Sequence, residues 1–128
     1  MIDQALIRTT CRILVVEDDF GIRSALVALL EDEGYLVEEA ENGVEALVCL
    51  ERQRPALVLL DMRMPVMDGW QFAQELRARQ IEVPLVVMTA ARDAQAWAEE
   101  IAAAAYVTKP FDHEALITTM DRICGVPG

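Results

Sequence analysis

The sequence predicts an α/β fold: a doubly wound, five-stranded parallel sheet with five helices, packed as a three-layer αβα sandwich. Three observations predict it. Five short apolar runs alternate with stretches of helical periodicity, so the chain reads as five β-α units in succession. The strongest runs, Ile13-Leu14-Val15-Val16, Leu57-Val58-Leu59-Leu60 and Leu85-Val86-Val87-Met88, are apolar without alternation, as in strands covered on both faces of a parallel sheet. The chain has 128 residues, 54% of them hydrophobic, which fits one domain with a well-filled core.

After the first run, Asp19 is placed to cap a helix in which Ile22, Ala25, Leu26, Leu29 and Leu30 recur at helical spacing, and Gly34 can end it. Leu36-Val37 begins a more polar second run that reaches Ala40. Asn42-Gly43 marks a turn, with Asn42 the cap of a helix running to about Gln53. Pro55 separates that helix from the third run. Asp68-Gly69 opens a helix with Phe72, Ala73 and Leu76 on one face, and Pro84 introduces the fourth run. Ala94, Trp97, Ala98 and Ile101 define a fourth helix. A fifth run is centred on Tyr106-Val107, and Asp112 can cap a last helix burying Leu116, Ile117, Met120, Ile123 and Cys124. Crossovers between parallel strands are right-handed, which puts helices on both faces. Residues 1–11 read as a loosely held N-terminal arm, 12–124 as the domain, and 125–128 as a C-terminal tail or truncated linker.

Composition narrows the function classes. The formal net charge of −11 leaves no basic stripe for direct nucleic-acid binding and suits a cation or a basic partner. Cys11, Cys49 and Cys124 are too few and too scattered for a disulfide framework or a zinc site, and free thiols point to a cytoplasmic location. No apolar run approaches the roughly 18 residues of a membrane span, and Met1-Ile2-Asp3-Gln4 lacks the start of a signal peptide, so no membrane association is expected.

The chemistry gathers where the runs end. Glu17-Asp18-Asp19 follows the first, Asp61 the third, Thr89 the fourth and Lys109-Pro110 the fifth. In a doubly wound sheet all of these lie at the carboxyl edge, where ligands bind. Each has a plainer reading: the triplet as a solvated turn whose last acid caps a helix, Asp61 as a turn acid, Lys109 as a loop lysine, Thr89 as a β-branched strand end. Together they assemble what magnesium and a phosphoryl group require. A sparse acidic set suffices for magnesium. A carboxylate can attack phosphorus, and a compact ammonium grips phosphate as a point charge. A phosphatase with an aspartyl nucleophile needs a second acid two residues after the first, and Arg63 stands there. His113, the one histidine, is expected in the first turn of the last helix, facing solvent. Trp70 and Trp97 are expected as packing residues, with Trp97 also a candidate for a partner contact.

At this point four segments resemble the receiver domain of two-component response regulators: Ile13 to Asp19, Leu59 to Gly69, Val87 to Ala90 and Tyr106 to Phe111. The resemblance implies a flavodoxin-like strand order, 2-1-3-4-5. It implies phosphorylation at Asp61, and a magnesium (or manganese) ion held by Glu17, Asp18, Asp61 and the backbone carbonyl of Arg63. Lys109 and Thr89 would bind the phosphate, Thr89 and Tyr106 would form the switch, and the Lys109-Pro110 bond would be cis. It also implies that Arg63 and Ala91 tune the lifetime of the phosphoryl group. The implied partners are a sensor histidine kinase or a histidine phosphotransfer protein, and an unnamed output partner or effector domain. The implied function is a magnesium-dependent phosphoryl acceptor that catalyses its own aspartyl phosphorylation and dephosphorylation, and that switches the surface of the fourth helix, fifth strand and fifth helix.

Two departures stand out. Where the family usually has Gly-Ala followed by polar residues, this chain has Ala102-Ala103-Ala104-Ala105, and the stretch from Thr89 to Lys109 is short. The acids that precede the aromatic in regulators dimerising through this face are also missing. These departures motivate an alternative, a non-phosphorylated pseudo-receiver acting as a constitutive interaction module.

Overall fold

A computed structural model describes residues 3–90 and 92–127. Five strands form one sheet: β1 (Arg12–Val16), β2 (Leu36–Ala40), β3 (Leu57–Asp61), β4 (Leu85–Thr89) and β5 (Ala105–Thr108). All neighbours pair in parallel and the order is β2-β1-β3-β4-β5. The helices are α1 (Gln4–Arg8), α2 (Phe20–Asp32), α3 (Gly43–Arg52), α4 (Gly69–Ala78), α5 (Ala94–Glu100) and α6 (His113–Cys124). The five expected helices are therefore α2 to α6, and α1 is additional.

Alternation of side chains along each strand builds two cores, one on each face of the sheet. Leu14, Val16, Val58, Leu60 and Val87 pack against Leu47 and Leu50 of α3, Phe72 and Leu76 of α4, and Ala98 of α5. Ile13, Val15, Leu57, Leu59, Val86 and Met88 pack against Leu26 and Leu30 of α2 and Leu116 and Met120 of α6. Strands β3 and β4 are buried along their whole length, which is why their sequences carry no polar alternation. The edge strands differ: β2 places Glu38 and Glu39 in its middle and β5 is half exposed.

Helix starts follow the expected caps. The Asp19 side chain accepts from the Ile22 N–H at 2.9 Å and Asn42 from Glu45 at 3.0 Å. Asp68 and Gln71 form a reciprocal capping box at α4. Asp112 occupies the N-cap of α6 without a side-chain capping bond. Gly69 has a packing role besides: a Cβ there would sit 2.8 Å from the Met62 Cα, so only glycine lets α4 begin against the end of β3.

The N-terminal arm departs from expectation, since residues Gln4–Arg8 form a helix. Five residues cannot hold a helix by themselves. Contacts across the chain hold it instead: Arg8 Nε and Nη2 donate to Asp121 of α6 at 2.9 and 2.7 Å, and the guanidinium lies over Tyr35. Gly34, with φ +104°, lets α2 end in a left-handed turn while the Ala5 carbonyl closes on it.

Candidate functional site

The register brings the strand ends level. Val16 lies opposite Ala40 on one side and Leu60 on the other, Asp61 lies opposite Met88, and Thr89 opposite Thr108. The residues just beyond these positions therefore share one rim. Glu17 leaves β1 with its N–H still donating to the Ala40 carbonyl at 3.1 Å. Its side chain is 1% exposed, and Oε1 lies 2.5 Å from the Lys109 ammonium. Oε2 accepts from the Asp19 N–H at 3.2 Å. Asp61, the last residue of β3, is buried; its Oδ2 lies 3.5 Å from Lys109 Nζ and its Oδ1 accepts from the Arg63 N–H at 3.4 Å. Asp18 is exposed, and carboxylate oxygens of Glu17, Asp18 and Asp61 all lie within 4.8 Å of one another.

Lys109 is directed by its backbone. Its N–H donates to the Thr89 carbonyl at 3.0 Å and its bond to Pro110 is cis. Thr89 is buried at the end of β4. Tyr106 lies on β5 and is 42% exposed, an outward position for the aromatic of the expected switch. Ala91 lies outside the described residues. His113 opens α6 on the surface, 3.0 Å from Glu33, away from this rim.

The electrostatics of the rim are unbalanced. Burial, then the hydrogen bond and negative charge of Glu17, push the Asp61 carboxyl up to about 7, against the opposing pull of Lys109. Burial also acts to raise Glu17, yet its hydrogen bonds with Asp61, Lys109 and the Asp19 N–H prevail and hold it below the usual carboxylate range. Of the two acids, Asp61 is therefore the one that takes up a proton first as pH falls. The acids are held close enough to repel, which is the condition a bound cation relieves. Carboxylate oxygens are hard donors suited to magnesium or manganese.

The sequence pattern did not single out one supporting residue. Arg23 is buried in α2; Nη1 donates to the Glu17 carbonyl at 2.8 Å and Nε to Glu39 at 2.9 Å, so it fixes the backbone that carries the acids. The signal was a charged residue at a core position, since Arg23, Leu26 and Leu30 are the buried residues of α2. Trp70 and Trp97, read separately, meet edge to face with centroids 4.8 Å apart. Beside Lys109, Gly21, Ile22, Ala25, Ala90, Pro110 and Phe111 line an apolar cavity of about 560 Å³.

Comparisons with known proteins identify the family. The family model of the response regulator receiver domain matches residues 13–121. The chain is 40% identical over 111 residues to the response regulator MprA of Mycobacterium sp. (strain KMS), covering 85% of this chain and 48% of that protein. It is 37% identical over 103 residues to sporulation initiation phosphotransferase F of Bacillus subtilis, covering 79% of this chain and 83% of the relative. Among solved structures, the Vibrio cholerae chemotaxis protein CheY4 superposes with a TM-score of 0.80 at 30% identity, over 88% of this chain and 98% of that one. The chain thus spans about half the length of mycobacterial MprA but most of the Bacillus phosphotransferase and of the CheY4 chain. A family match over nearly the whole sheet, on a chain whose rim carries the acids, hydroxyl and lysine at matching strand ends, assigns it to the family of response regulator receiver domains.

Proposed function

We propose that the chain is a phosphorylation-dependent signalling switch of the cytoplasm, with Asp61 as the acceptor. The observation that carries the reading is the convergence of Asp61 with Lys109 at 3.5 Å and with Glu17 and Asp18 inside 4.8 Å. Glu17, Asp18, Asp61 and the Arg63 carbonyl would hold magnesium or manganese. When bound, the ion would neutralise charge on the transferring phosphoryl group. The donor is a phosphohistidine on a sensor kinase or phosphotransfer protein. An Asp61 carboxylate oxygen forms the new O–P bond as the N–P bond breaks, and the imidazole leaves with the electron pair. Lys109 stabilises the anionic group at the oxygens. Attack requires the ionised carboxylate, which Lys109 favours and Glu17 opposes. Later attack of water on the acyl phosphate returns Asp61 and releases inorganic phosphate, so the domain catalyses both halves of its own cycle.

The apolar cavity beside Lys109, together with Phe20 at 72% exposure at the start of α2, offers a docking surface next to the acceptor. The relative named as a phosphotransferase supports donors and acceptors of this kind. For output, the Thr89 hydroxyl turns to the phosphate, Tyr106 turns inward, and the α5-β5-α6 surface changes shape as a population shift. The alanine-rich stretch before Tyr106 lies on this reporting surface, and the acceptor rim is complete without it, which favours this reading over a pseudo-receiver.

The test is incubation with magnesium and acetyl phosphate followed by intact mass. Wild type gains one phosphoryl group and Asp61→Asn gains none. No gain in wild type, or equal gain in the variant, overturns the assignment.

A further inference from the structure

Arg63 faces two ways. Its N–H points at Asp61 Oδ1, 3.4 Å away, while its guanidinium lies over the ring of Trp97 in α5, 5.0 Å from the centroid. Trp97 meets Trp70 of α4 at an interplanar angle of 67°. The Trp70 Nε1 then donates to Glu100 Oε2, back on α5, at 2.7 Å. Three contacts thus clasp α5: Arg63 on Trp97, Trp70 on Trp97, and Trp70 on Glu100.

The clasp matters because α5 is otherwise weakly held. It has seven residues, too few to persist alone, and no side-chain cap. Its buried residues are Ala94 and Ala98, which bring little apolar area to the core. Aromatic and cation–π contacts therefore add to the anchoring that Ile101, buried at its C-terminal end, provides. One of them is made by the residue whose backbone borders the acceptor.

We propose that the Arg63–Trp97–Trp70–Glu100 clasp couples the acceptor loop to α5, with Arg63 and Trp97 as positioning residues, by a route separate from Thr89 and Tyr106. The proposal rests on Glu17, Asp18 and Asp61 forming the metal and phosphoryl site. Pinning the Arg63 side chain orders its backbone beside Asp61. A cation that uses this backbone in turn holds the guanidinium on Trp97 and fixes α5. Coupling of this kind is reciprocal: what α5 does for the ion, the ion does for α5.

The test is a magnesium titration of the full chain, followed by tryptophan fluorescence, which reports only Trp70 and Trp97, and by backbone amide resonances. Trp97→Leu keeps apolar bulk and removes the ring face, whereas Trp97→Phe keeps a ring. In wild type, the amides of Glu17, Asp18 and Asp61 and those of Ala94 to Glu100 shift together. In Trp97→Leu magnesium binds about two- to five-fold more weakly and the α5 amides stop following it. Trp97→Phe recovers both. Glu100→Ala, an exposed change that removes the acceptor of the Trp70 N–H and keeps helix propensity, gives a smaller loss in the same direction and carries the test if Trp97→Leu fails to fold. Wild-type affinity with undiminished α5 shifts in Trp97→Leu, or no change in Glu100→Ala, overturns the clasp. A wild type whose acidic amides respond while α5 stays still overturns the clasp alone. One whose acidic amides ignore magnesium overturns the site as well.

Discussion

Arg8 and Asp61 are both buried charged residues, and they lie at opposite edges of one sheet. At the amino edge, Arg8 is paired with Asp121 through two hydrogen bonds, Tyr35 adds its hydroxyl to the same carboxylate, and Glu33 lies at 3.4 Å. At the carboxyl edge, Glu17, Asp18 and Asp61 crowd within 4.8 Å, and Lys109 pairs with Glu17 and Asp61. The titration directions separate the two. Burial acts to raise Asp121, but its bonds to Arg8 and Tyr35 hold it below the usual carboxylate range, whereas burial and Glu17 lift Asp61. One edge uses charge to fasten the chain ends to the fold. The other carries charge that the fold alone does not balance.

The largest expected effect tests the fastened edge. Asp121→Ala leaves Arg8 and Tyr35 without their shared partner in a site where the Arg8 side chain is 11% exposed. Removing one member of a buried pair costs about 3 kcal/mol, read by chemical denaturation. A loss below about 0.5 kcal/mol, the range of an exposed pair, breaks the contrast. The pH sign follows from the lowered carboxyl. Its stabilisation is present above the unfolded value of 3.8 and is lost as pH falls through the lower folded value. Protection of the Gln4–Arg8 amides, with exchange corrected for its intrinsic rate at each pH, is therefore expected to fall as pH drops below 3.8.

The next effect has the opposite sign. Asp61 has a folded value of about 7 against the ordinary 3.8 of an aspartate, so between these values the folded state binds the extra proton. Without divalent ions, stability falls as pH rises through this window, and the penalty is complete above about 7. Asp61→Asn removes the charge and keeps the shape. At pH 8 without metal it should raise the unfolding free energy, because the buried charge that desolvation and Glu17 oppose is gone. Magnesium should reverse the ranking by stabilising wild type more than the variant. A variant less stable than wild type in the absence of metal removes the claim that this edge is electrostatically strained.

What the sequence made legible follows the same division. The carboxyl edge could be read because each group sits at or just past the end of a strand, three of them on continuous apolar runs, so Glu17, Asp61, Thr89 and Lys109 marked themselves by position. The amino edge could not. Arg8 and Asp121 are 113 positions apart, and five residues of α1 are too short for a periodicity. Arg23 was visible in principle, as a charge on the buried face of α2. The partnership of Trp70 and Trp97 depends on how α4 and α5 lie side by side, which periodicity does not report.

The smallest effect concerns backbone strain, which also differs between the edges. Val66, in the loop after the acceptor, has φ 71° and is 76% exposed. A β-branched residue in the left-handed region is unusual and costs about 1–2 kcal/mol. Nothing buried repays it, because the side chain faces solvent. Asparagine tolerates this conformation, so Val66→Asn should stabilise by about 1 kcal/mol in thermal denaturation. At the amino edge, Ala102 has φ 54° in the loop leading to β5. It is unbranched, and the relief from glycine is offset by the freedom glycine gains when unfolded, about 0.4–1 kcal/mol. Ala102→Gly should therefore change stability by only a few tenths of a kcal/mol. If Val66→Asn is equally silent, strain at the acceptor loop is no greater than elsewhere, and the peculiarity of the carboxyl edge is electrostatic alone.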